Sequence, residues 1–256
     1  GGGVGTNFIC TAGLRDPIYA GERTECFIRA INVKGLRISG APTPNTLNFI
    51  NTPSNAINNT VGIQLLNNCT DFKIQDGYFN DVDRAIEIAN PSNHIDNNNI
   101  YNVHIDKSNI GIHILHSRIN TLGTLNPLDL TNSIDNGVGA NNVAILNEYS
   151  VGTRIYQTQI TNFNVGINLL NSGQTNHTQA TIKRNNISST GISLNAGGNN
   201  RRTQWHCNIL TGYSLGMQLY DFNGNSSWVQ TQGQCFSQLN DHPAGNEFND
   251  LSSALD

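Results

Sequence analysis

The stretch that decides the fold is Gly62-Ile63-Gln64-Leu65, a small residue followed by an apolar, a polar and an apolar residue. The pattern recurs at Ala85-Ile86-Glu87-Ile88, Gly111-Ile112-His113-Ile114, Asn142-Val143-Ala144-Ile145, Gly166-Ile167-Asn168-Leu169, Gly191-Ile192-Ser193-Leu194 and Gly216-Met217-Gln218-Leu219. The first residues of successive copies are 23, 26, 31, 24, 25 and 25 residues apart. Self-similarity at such a period indicates a solenoid in which each repeat forms one coil.

A second apolar register precedes the first in each repeat. Ile74, Phe79 and Ala85 are spaced by 5 and 6 residues, and the spacing recurs at Ile100, Ile105, Gly111, at Ile155, Ile160, Gly166 and at Trp205, Leu210, Gly216. The set Ile182, Ile187 and Gly191 falls two residues short. Each coil thus contains short segments of alternating character, which is typical of strands with one buried face.

A third column lies five residues after each first residue, at Asn67, Asn90, His116, Asn147, Asn171, Ala196 and Asp221. Four of these seven are Asn, whereas 41 Asn in 256 residues predict about one by chance. Coils stack at about 4.8 Å, so equivalent turn residues lie over one another and amides can bond in a ladder. We therefore predict an asparagine ladder of Asn67, Asn90, Asn147 and Asn171.

These signals predict an all-β chain, a right-handed parallel β-helix solenoid of about nine to ten coils. The repeats resemble the pectate-lyase-like superfamily over about residues 60–220, and bacterial secreted or surface β-helix repeat proteins in particular. We expect a single domain, 1–256. Residues 1–60 would form N-terminal coils and a loop, 61–220 regular coils with an insertion near 121–141, and 221–256 a C-terminal coil or cap.

Composition narrows the function classes. Only 12% of residues are charged and the net charge is −4, while Asn and 25 Gly suggest repeated turns in the left-handed region. Basic residues adjoin only at Lys183-Arg184 and Arg201-Arg202, which argues against nucleic acid. No run of 18 apolar residues exists, so membrane insertion is not expected. The opening Gly1-Gly2-Gly3 suggests a processed or excised piece of a longer precursor.

Five cysteines are present, and none forms a CxxC pair, so we expect no zinc site. Cys10 with Cys26 and Cys207 with Cys235 are sequence-local pairs that could form disulfides at the two ends, leaving Cys69 in the core. The alternative is that all five are buried thiols. Disulfides would place the chain in an oxidising compartment, which supports an extracellular or cell-surface location.

The outward position two residues after each first residue brings Glu87 beside His113 on adjacent coils, about 5 Å apart, close enough for proton transfer. His116 is near in sequence, and a turn column stacks Asp81 over Lys107. An exposed ion pair with scattered histidines is the simpler interpretation. Arg84 stands in a mostly apolar column, where it either needs a carboxylate such as Glu87 or extends outward.

The resemblance implies enzymes that cleave acidic polysaccharides. Lyases of that superfamily present an acidic calcium site with a Lys or Arg base, and its hydrolases present grouped aspartates with Gly-His-Gly. This sequence has neither Gly-His-Gly nor an Asp-Asp pair. We therefore assign no catalytic residue. Only a lyase alternative would use Glu87, His113, His116 and Lys107, and only it would call for Ca²⁺; no other cofactor or metal is expected.

Three functions remain open. The leading hypothesis is a structural or adhesive segment of an extracellular fibre or surface protein, which partners itself or neighbouring repeats. The second is a polysaccharide lyase. The third is a non-catalytic glycan-binding module that uses Tyr101, Tyr156 or Trp228 as platforms for a polysaccharide.

Overall fold

The computed structural model describes residues 6–10, 25–40, 47–51, 60–89, 97–124, 132–150, 152–172, 180–188, 190–200, 203–222, 224, 228–229 and 246–249. All regular structure in these ranges is strand. A helix long and apolar enough to cross a membrane is not found in them.

The strands are β1 Thr6–Cys10, β2 Glu25–Ile31, β3 Arg37–Ser39, β4 Leu47–Asn51, β5 Thr60–Leu66, β6 Lys73–Gln75, β7 Gly77–Ala89, β8 Asn99–Tyr101, β9 His104–Leu115, β10 Thr121–Gly123, β11 Ser133–Asp135, β12 Val143–Glu148, β13 Arg154–Tyr156, β14 Gln159–Thr161, β15 Val165–Leu170, β16 Ala180–Lys183, β17 Asn186–Ser188, β18 Ile192–Gly197, β19 Asn199–Asn200, β20 Thr203–His206, β21 Ile209–Thr211, β22 Leu215–Tyr220, β23 Trp228–Val229 and β24 Glu247–Asn249.

Every strand pairs in parallel with its equivalent one repeat away, which makes the chain a parallel β-solenoid and confirms the predicted fold class. One stack runs β2-β5-β7-β9-β12-β15-β18-β22. A second runs β1-β4-β7-β9-β11-β14-β17-β21-β24, and a third β3-β6-β8-β10-β13-β16-β20. Within the described residues the first stack is eight strands deep, the second nine and the third seven, so complete coils are fewer there than the nine to ten predicted.

The core is built from columns of identical or similar apolar side chains, one per coil. The second predicted register is confirmed: Phe79, Ile105, Ile134, Ile160, Ile187 and Leu210 lie in register and are fully buried. Ile74, Ile100, Leu122, Ile155, Ile182 and Trp205 form the matching column of the third stack. Full burial of each such side chain contributes roughly 1.5–3 kcal/mol.

The first predicted register needs a correction at two of its seven copies. Ile110 pairs Val143 and Ile112 pairs Ile145, so Ala144 and not Asn142 stands beside Gly111. By the same reasoning Ser193, and not Gly191, stands beside Gly166. The column demands a small residue because a Cβ on Gly111 would lie 2.5 Å from the Ala144 carbonyl oxygen and 2.7 Å from Ile134 Cγ2.

Corners between stacks explain why Asn and Gly are abundant. Each corner repeats a residue with positive φ, a conformation that Asn, Asp and Gly adopt at least cost. One corner column contains Asn32, Asn67, His116, Tyr149, Asn171 and Gly198. The other two contain Asp76, Asn102, Gln157, Arg184 and Cys207, and Asp81, Lys107, Asn136, Asn162 and Gly212.

The insertion predicted near 121–141 is not one loop. Thr121–Gly123 and Ser133–Asp135 fall inside that range, yet they form β10 and β11 and pair with the neighbouring coils. The extra residues are divided between 125–131, which lie outside the described residues, and the turn from Asn136 to Asn142. Strand pairing takes priority because an unpaired backbone group inside the stack is costly.

Candidate functional site

The candidate site is a polar row on the outer face of the first stack, where alternate side chains point away from the core. Arg29, Gln64, Glu87 and His113 come from the adjacent strands β2, β5, β7 and β9 and lie in register. The row continues as Leu146, Asn168, Asn195 and Gln218. Ala144 and Ser193 were expected in this outward row, because the predicted register was shifted by two residues in their coils. They instead occupy the column of small residues beside Gly111 and Gly166.

Hydrogen bonds connect the first three members of the row. Arg29 Nε donates to Gln64 Oε1 at 2.6 Å, and Gln64 Nε2 donates to Glu87 Oε2 at 3.0 Å. Gln64 thus uses its amide oxygen toward a cation and its amide nitrogen toward an anion. The Gln64 amide therefore links the cation of the preceding coil to the anion of the following coil, and its oxygen and nitrogen are each in a hydrogen bond.

Arg84 extends outward from the apolar column and pairs with carboxylates. Its Nη1 donates to Glu87 Oε1 at 2.7 Å, and its Nε lies 3.6 Å from Asp83 Oδ2. Burial raises the pKa of Asp83, an effect opposed by the hydrogen bond from Asn109 and by the charge of Arg84, and reinforced by the charge of Glu87. The guanidinium therefore stands between two carboxylates that would otherwise repel each other.

His113 bridges two carboxylates with its two ring nitrogens. Its Nδ1 lies 3.8 Å from Glu87 Oε1, and its Nε2 lies 2.7 Å from Glu148 Oε2. The side chains of Glu87 and His113 are buried, and that of Glu148 is half-buried. The predicted proximity of Glu87 and His113 is thus observed, while Glu148 was missed by the sequence reasoning.

This arrangement can exchange a proton between His113 and Glu148, which are in hydrogen-bond contact. It is not arranged as a metal centre, because His113 turns one nitrogen toward each carboxylate and the three groups do not converge. No group of three His, Cys, Asp or Glu side chains suited to a metal ion occurs in the described residues.

The other two residues of the lyase alternative lie apart from this row. His116 occupies a corner with φ of 48° and stacks on Tyr149, with ring centroids 5.0 Å apart. Lys107 occupies a different corner with φ of 56°, in register with Asp81 as predicted. Each corner redirects the chain onto another face, which separates these residues from Glu87 and His113.

The predicted asparagine ladder is wrong in its composition. Asn67 and Asn171 do occupy one corner column, but His116 and Tyr149 stand between them. Asn147 belongs to an inward column, in register with Ile114 and Leu169, because the register of that coil is shifted by two residues. Asn90 lies outside the described residues.

The structure contains an amide ladder at a different turn, just before the second stack. Asn208 Oδ1 accepts from Asn185 N at 3.1 Å and from Asn185 Nδ2 at 2.9 Å, and Asn208 Nδ2 donates to Asn246 Oδ1 at 2.9 Å. The column also holds Asn132 and Thr158, and Thr158 N donates to Asn185 Oδ1. A sequence signal existed: Asn stands two residues before Ile134, Ile187, Leu210 and Phe248.

A second, exposed ladder follows the corner after the second stack. Asn162 Nδ2 donates to Asn136 Oδ1 at 2.9 Å, and Asn136 Nδ2 donates to Asp106 Oδ1 at 2.8 Å. Turn amides do stack between coils, as predicted, but the residues that form the stacks are not the predicted ones.

The cysteine predictions have mixed outcomes. Cys26 carries a thiol, which contradicts a Cys10–Cys26 disulfide. Cys10 is in register with Asn51 in the second stack and Cys26 with Val61 in the first, so they belong to different faces. Cys207 is disulfide-bonded. Its predicted partner Cys235 lies outside the described residues, so that pairing stays a prediction. Cys69 is a buried thiol, as expected.

Of the three proposed aromatic platforms, Tyr156 is buried and Tyr101 is partly covered. Tyr156 is only 7% exposed. Tyr101 is half-buried, and Lys73 Nζ lies 4.8 Å from its ring centroid. The side chain of Trp228 lies outside the described residues.

The chain matches no protein-family model, no curated protein and no solved structure. Its fold is shown by its own strand pairing.

Proposed function

We propose that this chain is a structural or adhesive segment of an extracellular or cell-surface assembly. The observation that carries the proposal is the pairing of the charged residues and His113 in the outer row. Arg29, Glu87 and His113 each interact with a neighbouring side chain of the same face, through Gln64, Arg84 and Glu148. Charges used to bind one coil to the next stabilise the solenoid and leave little field to attract a charged substrate.

Two further features support this role. Amide ladders and repeated corners place chemically similar residues over one another, so the polar side chains in these columns serve the stack itself. The disulfide at Cys207 is typical of proteins that function in an oxidising compartment outside the cytosol.

The test is immunogold electron microscopy of cells that produce the chain, with an antibody against it. We expect label on surface fibres or layers. Label confined to the cytosol would overturn the proposal. Cells that lack the gene supply the control for antibody specificity.

A second candidate is polysaccharide cleavage, and the contact between His113 and Glu148 is the observation that favours it. A carboxylate beside an imidazole is a general acid–base pair, and such pairs contribute typically 10²–10⁴-fold to rates. Against it stands the burial of Glu87 and His113, whose lone pairs already face neighbouring side chains.

The test of this candidate is incubation with pectate, alginate and glycosaminoglycans, with and without Ca²⁺. Product formation that falls at least tenfold in His113→Gln, and not in Gln218→Ala of the same row, would establish the enzyme and displace the structural proposal. No product from any polymer would remove it. Circular dichroism of both variants separates lost chemistry from lost folding.

A further inference from the structure

The outer face of the third stack is rich in basic side chains. In β3, β6, β13 and β16 an Ile faces the core, so the residues on either side of it face outward. One outward column contains three cations, because the register of the stack aligns their positions. The cationic face consists of these three, Arg37, Lys73 and Arg154, of Lys183 in the neighbouring outward column, and of Lys34 and Arg184 at the adjoining corners.

The contacts of two of these side chains leave their positive charge in place. Arg37 is exposed, and its Nη1 donates to the backbone carbonyl oxygens of Leu36 and Asp71. Lys73 is half-buried, and its Nζ lies 4.8 Å from the centroid of the Tyr101 ring. A carbonyl oxygen and an aromatic ring attract a cation without supplying a formal negative charge.

Two carboxylates belong to the described part of the cationic face, and both are already engaged. Asp71 Oδ2 lies 3.6 Å from Lys34 Nζ. Asp76 is only 4% exposed and accepts hydrogen bonds from Gln75 and Asn102. Six cations against two carboxylates make the described part of this face positive, although the whole chain has a net charge of −4.

One edge of the face places two cations next to each other. Lys183 is half-buried and Arg184 is exposed at the corner. Burial lowers the pKa of Lys183, and the charge of Arg184 lowers it further. An approaching anion would weaken this repulsion.

We propose that the cationic face binds a membrane surface of anionic phospholipids. The inference rests on the proposed adhesive function and deepens it, because it names the surface to which the segment adheres. A Lys or Arg near an anionic leaflet strengthens binding about fivefold, so a face with several cations can hold the chain at the surface without insertion.

The distribution of the cations favours a planar partner over a single polymer chain. Arg37 in β3 and Lys183 in β16 are five strand steps apart, which is about 24 Å along the stack. Across the sheet, the cations extend from Lys34 at the corner before it to Arg184 at the corner after it. A linear polyanion would follow one column, whereas the surface of a bilayer can contact the full width of the face.

The charges of the other two stacks set the orientation of the bound chain. Asp106 and Asp135 are in register on the outer face of the second stack, so an anionic membrane would repel that face. On the first stack, Arg84 is paired with Asp83 and Glu87. The solenoid should therefore lie with the third stack on the membrane and with its axis along the surface.

Cosedimentation with vesicles tests the proposal. Vesicles of equal parts phosphatidylserine and phosphatidylcholine should sediment the wild-type chain at low salt, and vesicles of phosphatidylcholine alone should not. Lys73→Gln and Arg154→Gln should each weaken the affinity about fivefold, and the double variant should weaken it about 25-fold. Gln159→Glu changes the net charge by the same amount on the exposed side of β14, and this matched control should bind like the wild type.

Three further arms separate charge from other causes. Lys73→Arg and Arg154→Lys keep the charge and should retain binding. Salt at 1 M, where the Debye length is about 3 Å, should release the chain. Binding to phosphatidylcholine alone, binding that survives high salt, or an equal loss in Gln159→Glu would overturn the proposal. Binding to immobilised heparin without binding to the anionic vesicles would overturn it as well and would assign the face to an acidic polysaccharide.

Far-ultraviolet circular dichroism checks that each variant keeps the fold. Should Lys73→Gln unfold because it loses the Tyr101 contact, Arg154→Gln carries the test with the same expected loss. A wild-type chain that ignores anionic vesicles, together with immunogold label on the cell surface, would remove this inference and leave the proposed function standing. Cytosolic label together with vesicle binding would do the reverse.

Discussion

Removal of one rung from the buried amide ladder should destabilise the solenoid strongly. Asn208 is fully buried and sits between Asn185 and Asn246. Its Oδ1 accepts the backbone N–H of Asn185 at 3.1 Å, and its Nδ2 donates to the Ile182 carbonyl oxygen at 3.0 Å. Asn208→Ala removes both partners, and the backbone groups of Asn185 and Ile182 stay buried.

Each buried polar group that loses its partner costs about 1–3 kcal/mol, so two such groups predict a loss of roughly 2–6 kcal/mol. That is a large fraction of the 5–15 kcal/mol typical of a folded domain. Asn186→Ala is the matched control, because the neighbouring side chain is exposed on the outer face of β17. It should change the free energy of unfolding by less than about 0.5 kcal/mol.

The assay is urea unfolding followed by far-ultraviolet circular dichroism. A midpoint for Asn208→Ala that coincides with that of Asn186→Ala would refute the reasoning. A loss below about 1 kcal/mol would mean that water replaces the amide and that the ladder is not a principal source of stability.

Three further outcomes are expected. Ile160→Asp introduces an unpaired charge at a fully buried position and should cost several kcal/mol, whereas Gln159→Asp on the exposed side of β14 should cost little; thermal melts compare them. Because burial raises the pKa of Asp83 in the folded state, its contribution to stability is fully present below the unfolded pKa and is lost as pH rises through the folded pKa. Asp83→Asn should therefore flatten the pH dependence of the urea midpoint, and an unchanged profile would contradict this. Peptide mapping without reduction should find Cys207 linked to Cys235 and both Cys26 and Cys69 alkylated, and a Cys10–Cys26 crosslink would contradict the thiol at Cys26.

The fold was predictable from sequence because every coil of a solenoid needs apolar side chains at the same inward positions. Ile105, Ile160 and Ile187 fill equivalent inward positions, so their spacing directly records the coil length. A helix or an open sheet would not hold both the 5-residue and the 6-residue spacing over so many repeats.

The register was the weaker prediction, and the reason is physical. Strand side chains alternate with a period of two, so a shift by two residues preserves the pattern of buried and exposed positions. Gly191 and Ser193 are both small and both precede an apolar residue. In the other copies the small residue follows the inward apolar residue by six positions. Ser193 lies six positions after Ile187 and Gly191 only four, so this spacing identifies Ser193 as the equivalent residue.

The same two-residue slip at Asn142 misplaced the coil that carries Glu148, which hid part of the candidate site. Register alone brought Glu87 beside His113, since both residues lie in copies that were correctly aligned. Glu148 is in register with Leu115, two residues after His113, and reaches the imidazole diagonally. Diagonal neighbours in a sheet lie within reach of long side chains only, so the contact depends on rotamers that a sequence pattern does not specify.

Stacking places equivalent positions about 4.8 Å apart, so a charged residue in any column meets its neighbour at close range. In the outer row of the first stack, like charges are never direct neighbours: Gln64 separates Arg29 from Glu87, and His113 follows Glu87. The second stack places two carboxylates, Asp106 and Asp135, directly in register. There, separate donors compensate the repulsion: Asn136 donates to Asp106, while Ser133 and Thr161 donate to Asp135. Charged groups on both faces are thus held by neighbours from the coils, which is the property expected of side chains whose main task is to hold the coils together.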